Sequence, residues 1–239
     1  MALPQASSEI PSEGRLGRAR PLLGDHALSR LASLRIAVFG VGGVGVGGVG
    51  SWCAEALARS GAGRLLLVDD DVVAPSNLNR QCEATSGTIG APKVAAMKER
   101  LLSIVPDMEI ETCPQRFTPD SPLPDVDIIV DAIDSVDSKA ALILAATEKG
   151  VPIVSSMGAA LRRDPTKVEV RRFDKVAGDG LARALRQRFK RLGRHPARKF
   201  MAVCSVEPPA DLEIRASLMQ VTAAFGMALA SEVIRIAGE

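Results

Sequence analysis

The sequence predicts an α/β fold, a doubly wound and mostly parallel sheet carrying a small basic C-terminal extension. Three observations predict it. Apolar runs rich in branched residues alternate with stretches of helical periodicity. One such run, Arg35-Ile-Ala-Val-Phe39, passes into a glycine loop, a helix and a second apolar run ending in acids. That unit brings backbone N–H groups and a helix N-terminus up to a phosphate. Lysine and arginine also concentrate between Arg162 and Lys199, although the 239-residue chain has a formal net charge of only +2.

The elements follow in order. Residues 1–14 are rich in Ser, Pro and Glu and are expected to be disordered. A short amphipathic helix is predicted over 25–34, with Ala27, Leu28, Leu31 and Leu34 on one face. Residues 35–39 form the first strand. Gly40-Val-Gly-Gly-Val-Gly45 is then followed by a near repeat, Val46-Gly-Gly-Val-Gly50, so the loop has two registers. In the first, Gly42, Gly43 and Gly45 meet the phosphate and 46–50 are spliced into the helix start. In the second, Gly47, Gly48 and Gly50 meet it and the earlier copy bulges. Continuity with the strand favours the first. A helix over 51–59 is stopped by Gly61 and Gly63, and Leu65-Leu-Leu-Val-Asp69 is the second strand.

Residues 72–81 are irregular, with Pro75, Ser76, Asn77 and Asn79 as turn and cap residues. Pro92 opens a helix in which Val94, Met97, Leu101 and Ile104 recur at helical spacing. An alternating strand over 108–112 precedes a buried strand over 125–134. A helix over 138–149 ends at Gly150, and a strand follows over 151–155. Beyond it come a strand over 167–171, a helix over 181–192, a strand over 200–206 and a closing helix over 220–236. Residues 15–160 are read as a Rossmann-like ATP-binding domain. Residues 161–239 are read as a basic segment and closing helix packed on it.

Composition narrows the chemistry. The four cysteines, Cys53, Cys82, Cys113 and Cys204, are far apart and form no Cys-x-x-Cys pair. A zinc ribbon or disulfide scaffold is therefore not expected, and a reducing cytoplasm is. With His26 and His195 as the sole histidines and no tyrosine, catalysis by a histidine base or a tyrosine is not expected. The first residues lack the charged and apolar regions of a secretory signal. The apolar run within 221–236 is expected to be too short and too polar to span a bilayer.

Ligands of doubly wound sheets bind beyond the carboxyl ends of the strands, where the strand order switches. Gly40, Asp69 and Asp134 stand at three such ends. Asp69 suits a ribose hydroxyl, in ATP or in NAD, with Asp71 close behind. A triphosphate also needs cations and a metal. Arg80 and Lys93 flank the loop after the second strand, and Asp134 offers oxygen to Mg²⁺. A dehydrogenase has no need for this set. Plainer readings are that Arg80 pairs with a surface acid, Lys93 begins a helix, and Asp134-Ser135 caps one.

These phrases resemble those of the ThiF/MoeB-like, ubiquitin-activating-enzyme-like adenylyltransferases. The matching pieces are Gly40-Val-Gly-Gly-Val-Gly45, Val68-Asp-Asp-Asp-Val72, Ser76-Asn-Leu-Asn-Arg-Gln81, Gly90-Ala-Pro-Lys93 and Val130-Asp-Ala-Ile-Asp-Ser135. The resemblance implies ATP·Mg²⁺ and adenylation of a carboxylate. It implies Asp69 on the ribose; Asn79, Arg80 and Lys93 on phosphates; Asp134, beside Ser135, on magnesium; and Arg18 donated across a homodimer, with Arg20 as competitor. Within the family, Ala132-Ile-Asp-Ser-Val136, Met157-Gly-Ala and Asp164-Pro-Thr-Lys-Val resemble the tRNA threonylcarbamoyladenosine dehydratase branch. That branch activates a carboxylate on a modified tRNA adenosine for intramolecular attack.

Arg183, Arg186, Arg188, Lys190, Arg191, Arg194, Arg198 and Lys199 form an acid-free run that fits a tRNA backbone. The competing reading of the run is a solvated helix face. Cys204 is read as a buried strand residue, with a thioester role as the alternative. Three rival functions stay open: an activator of a glycine-tailed sulfur-carrier protein, an NAD-dependent oxidoreductase, and a non-catalytic nucleic-acid-binding module.

Overall fold

The computed structural model describes residues 14–41, 47–214 and 216–239. Most of the N-terminal segment expected to be disordered lies outside the described residues, as do Gly42, Gly43 and Gly45. Among the described residues, seven strands form one sheet in the order β3-β2-β1-β4-β5-β7-β6. They are β1 (Arg35–Phe39), β2 (Arg64–Val68), β3 (Glu109–Cys113), β4 (Ile128–Asp131), β5 (Ile153–Ser156), β6 (Val168–Arg172) and β7 (Met201–Ser205). All pair in parallel except β6 with β7.

Burial on both faces explains the nearly continuous apolar strands. Along β1, Ile36 and Val38 enter one core while Ala37 and Phe39 enter the other. The first core is closed by α1 (Arg20–Ser33), α2 (Gly47–Ser60), α3 (Lys93–Ile104) and α6 (Met219–Gly238). The second is closed by α4 (Val136–Lys149) and α5 (Gly180–Leu192). The stretch expected as a basic extension supplies β6 and β7 to the sheet itself.

Several boundaries depart from expectation for local reasons. Helix α1 starts at Arg20 because Pro21 suits a first turn, and Gly24, at φ 76°, absorbs a kink. Strand β4 ends at Asp131, whose carboxylate accepts the Ile133 N–H at 3.1 Å and turns the chain. Helix α6 runs for 20 residues, longer than expected, and by length and composition could cross a membrane. Here Val221, Phe225, Leu229 and Val233 bury one face of it in the first core. Gly226 permits the approach to α2, since a Cβ there would lie 2.6 Å from the Val49 carbonyl oxygen.

Candidate functional site

The chain leaves β1 toward β2 and β3, and then begins again on the other side of β1 with β4. The connections leaving the carboxyl ends of the paired strands β1 and β4 therefore run to opposite faces of the sheet and leave a crevice between them. Its walls include Gly40, Asp69, Asp70, Asp71, Ile133, Asp134, Ser135 and Ser138, with Phe39 and Val68 at the base. Four predicted residues, Asp69, Asp71, Asp134 and Ser135, meet there. Ser135 occupies the N-cap position of α4 without a side-chain cap bond, so capping does not account for its hydroxyl. Asp69 is buried, and its carboxylate accepts the Asp71 N–H at 2.9 Å.

Lys93 joins this group through Asp71. Val73 N–H bonds the Ala91 carbonyl, Gly90 N–H bonds the Val73 carbonyl, and Lys93 N–H bonds the Asp71 carbonyl. These bonds carry Lys93 back across the segment 72–92. Its side chain is 3% exposed, and the ammonium lies 3.0 Å from the Asp71 carboxylate. Opening α3 is thus one part of its role and the ion pair is the other.

Arg80 lies on the α2 side. Its carbonyl accepts the Trp52 indole N–H at 3.0 Å, and a Cβ on Gly48 would stand 2.8 Å from that oxygen. Its guanidinium donates to the Ser76 carbonyl at 2.7 Å and to Asn79 Oδ1 at 2.9 Å. Partial burial pulls the guanidinium below its ordinary pKa. Asn79 donates in turn to the Ser217 carbonyl at 3.0 Å. Arg80 and Asn79 therefore form one unit beside the start of α2, outside the walls of the crevice. Helix α2 begins at Gly47, so the second glycine copy forms its first turn.

Some contributors were not foreseen. Gln115, Arg116 and Phe117 complete the wall, and Arg116 pairs with Asp70 at 3.1 Å. They follow β3, which borders β2. Knowledge of strand order would have found them. Glu83 is 1% exposed, and burial, only partly offset by the Ser51 hydroxyl and the Lys93 ammonium, pushes its carboxyl up to about 7. Asp131 and Lys139, both at 0% exposure, form an ion pair beneath Asp134. Burial pulls the Lys139 ammonium down, against the Asp131, Asp134 and Asp179 carboxylates.

The basic run is divided. Arg186 donates to the carbonyls of Phe173 and Val176 at 2.8 and 2.6 Å and covers the Phe173 ring. Arg188 pairs with Asp137 and Arg194 with Glu148. Arg198 lies against Gly150, where a Cβ would be 3.2 Å from the guanidinium. Arg183, Lys190, Arg191 and Lys199 are exposed. Arg18 is exposed in the turn before α1, and Arg20 pairs with Asp25. Cys204, in β7, is 3% exposed and burial pushes its thiol up to about 11, which suits a core residue better than a nucleophile.

The family model described as "ThiF family" matches residues 16–239. The chain is 38% identical over 175 residues to the tRNA threonylcarbamoyladenosine dehydratase of Bacillus subtilis, covering 72% of this chain and 67% of that protein. It is 39% identical over 180 residues to that of Escherichia coli, covering 74% and 65%. These matches thus span about two thirds of the relatives' length. The crystal structure of the Escherichia coli enzyme in complex with ATP superposes with a TM-score of 0.84 at 34% identity, covering 93% of each chain. The chain belongs to the ThiF family.

Proposed function

We propose that this ThiF-family chain is an ATP-dependent tRNA threonylcarbamoyladenosine dehydratase. The observation that carries the reading is the meeting of Asp69, Asp71, Asp134 and Ser135 at the β1/β4 switch, with Lys93 paired to Asp71. A hydride-transfer site needs no such set of charges. The named relatives supply the substrate class: their names specify the tRNA dehydratase activity and an ATP complex.

The chemistry balances without a protein nucleophile. The substrate carboxylate attacks the α-phosphorus of ATP, the bond to the β-phosphate breaks, and pyrophosphate leaves. A nucleophile of the same substrate then attacks the acyl carbon and gives its proton to solvent, while the bond from that carbon to the phosphate oxygen breaks, giving the ring and releasing AMP with one former carboxylate oxygen. The net change in the nucleoside is loss of one water. An intramolecular nucleophile has a high effective concentration, consistent with a buried Cys204.

In this reading Asp69 accepts the ribose hydroxyls and the Asp71–Lys93 pair opens so that Lys93 meets phosphate. Arg80, held by Asn79, stabilises charge developing on the pyrophosphate. Asp134 and the neighbouring carboxylates are hard oxygen donors, a set that fits Mg²⁺. Asp134 would hold the ion beside Ser135, and the ion would neutralise phosphate charge. Gly50 packs on Gly40, and this favours the second glycine register, with the N–H groups opening α2 toward phosphate. Arg18 reaches the partner's site in a homodimer. The exposed part of the basic run meets tRNA, and the enzyme works in the cytoplasm without a membrane.

Mass spectrometry of nucleosides from threonylcarbamoyladenosine-containing tRNA, after incubation with the protein and ATP, tests the reading. A product lighter by one water, formed with AMP, is expected. ATP consumption that requires a glycine-tailed carrier protein and ignores tRNA would overturn it.

A further inference from the structure

The turn between β4 and α4 carries Asp134, and the buried pair beneath it takes up both backbone polar groups of the preceding residue. Asp131 Oδ1 accepts the Ile133 N–H at 3.1 Å. Asp131 Oδ2 accepts the Ser155 hydroxyl at 2.6 Å and lies 2.8 Å from the Lys139 ammonium. That ammonium donates to the Ile133 carbonyl at 2.8 Å. The turn is also closed from the β1 side, because a Cβ on Gly40 would stand 2.5 Å from the Ala132 carbonyl oxygen. Strand, turn and helix therefore converge on two side chains that never reach solvent.

Stability is a poor account of this arrangement. Bringing two charges out of water is costly, and well-packed apolar residues of similar volume often replace a buried ion pair without loss. Apolar residues cannot hold an N–H and a C=O of one residue in fixed directions. An ion pair can, because each partner keeps hydrogen-bonding capacity beyond the pair. We infer that Lys139 and Asp131 are positioning residues: they hold the turn from Ala132 to Ser135 so that the Asp134 carboxylate meets the reacting nucleotide in one geometry. The inference rests on the role proposed above for Asp134, and Ser155 extends the device into β5.

The test is the double variant Asp131→Asn/Lys139→Met. It removes both charges but leaves an amide oxygen to accept from the Ile133 N–H and an amide group to bond Ser155. Thermal unfolding, kcat, KM for ATP and the Mg²⁺ concentration giving half-maximal turnover are measured beside wild type and Asp134→Asn. The double variant is expected to unfold cooperatively near the wild-type midpoint. Its kcat should fall about 10-fold or more, with more Mg²⁺ needed, the scale seen when groups behind a metal-binding ligand are lost. Wild-type kcat and Mg²⁺ dependence in the folded double variant, with Asp134→Asn impaired, would overturn the inference. Wild-type turnover in Asp134→Asn would instead overturn the role of Asp134. Should the double variant not fold, Ser155→Ala removes one bond to Asp131 and no charge. A rise in the Mg²⁺ requirement at an unchanged unfolding midpoint supports the device, and an unchanged requirement overturns it.

Discussion

Gly50, in the first turns of α2, rests on the carbonyl of Gly40 at the end of β1: a Cβ on Gly50 would stand 2.2 Å from that oxygen. Helix and strand touch through backbone, with residues 41–49 between the contact points. Gly50→Ala is expected to destabilise the fold by about 1–3 kcal/mol, the usual cost of forcing atoms into a packed contact, read by chemical denaturation.

Removing residues 42–46 leaves Gly40-Val41 joined to Gly47-Gly-Val-Gly50, a single copy of the phrase. The Gly40–Gly50 contact survives, and loop-closure entropy changes little for so short a deletion. The expected outcome is an unchanged or raised unfolding midpoint with a lower KM for ATP. Loss of folding would show that the first copy supports the helix.

Lys93 and Asp71 form a pair in which only the aspartate reaches solvent appreciably, with side chains 3% and 27% exposed. Lys93→Met should leave the protein folded, since the Asp71 carboxylate reaches solvent and Glu83, its carboxyl raised to about 7, can take up a proton. Turnover should fall about 10²–10³-fold, the scale of losing one positioned donor to a charged transition state. Pyrophosphate release is the measurement. A variant within a few-fold of wild type would remove Lys93 from the site.

Glu83 gives the stability a pH dependence. Burial raises its carboxyl from an ordinary 4.5 to about 7 in the folded chain, so folding disfavours the charged form. Below the ordinary value both states are protonated and there is no penalty. The penalty grows from pH 4.5 to 7 and is complete above, reaching on the order of 3 kcal/mol. Glu83→Gln should therefore be more stable than wild type at pH 8, with the advantage vanishing near pH 4. Urea titrations at the two pH values measure this, and an equal advantage at both would contradict it.

The basic run divides into side chains that bond other parts of the protein and side chains exposed to solvent. Arg183→Ala, Lys190→Ala and Arg191→Ala should each weaken tRNA binding and lower the magnitude of the log K against log salt slope by up to about 1, leaving thermal stability intact. Arg186→Ala should lower stability, because it leaves the Phe173 and Val176 carbonyls without this donor.

The legible part of the protein was local. Strand patterns and glycine stops placed the seven strands to within about three residues, while the helix starts at Arg20 and Gly47 fell four or five residues earlier than expected, because apolar periodicity is a property of short segments and helix starts depend on their surroundings. The positions of Asp69, Lys93 and Asp134 at the edges of elements were legible for the same reason. Gln115, Arg116 and Phe117 were not, because nothing local says that β3 lies beside β2. Glu83 looked like any other acid of a polar loop. Arg188 and Arg194 looked free until α4 supplied Asp137 and Glu148.

By itself, the sequence determined the doubly wound class, the strand ends that bear charge and the resemblance to an adenylating family, since each is written in spacing and residue type. Only the tertiary structure decided the strand order, the burial of the Asp131–Lys139 pair and the glycine copy that seats α2 on β1. Those depend on contacts between residues far apart in the chain, such as Ser155 with Asp131 and Gly226 with Val49. Their physical cause is close packing, which brings together groups that no local pattern relates.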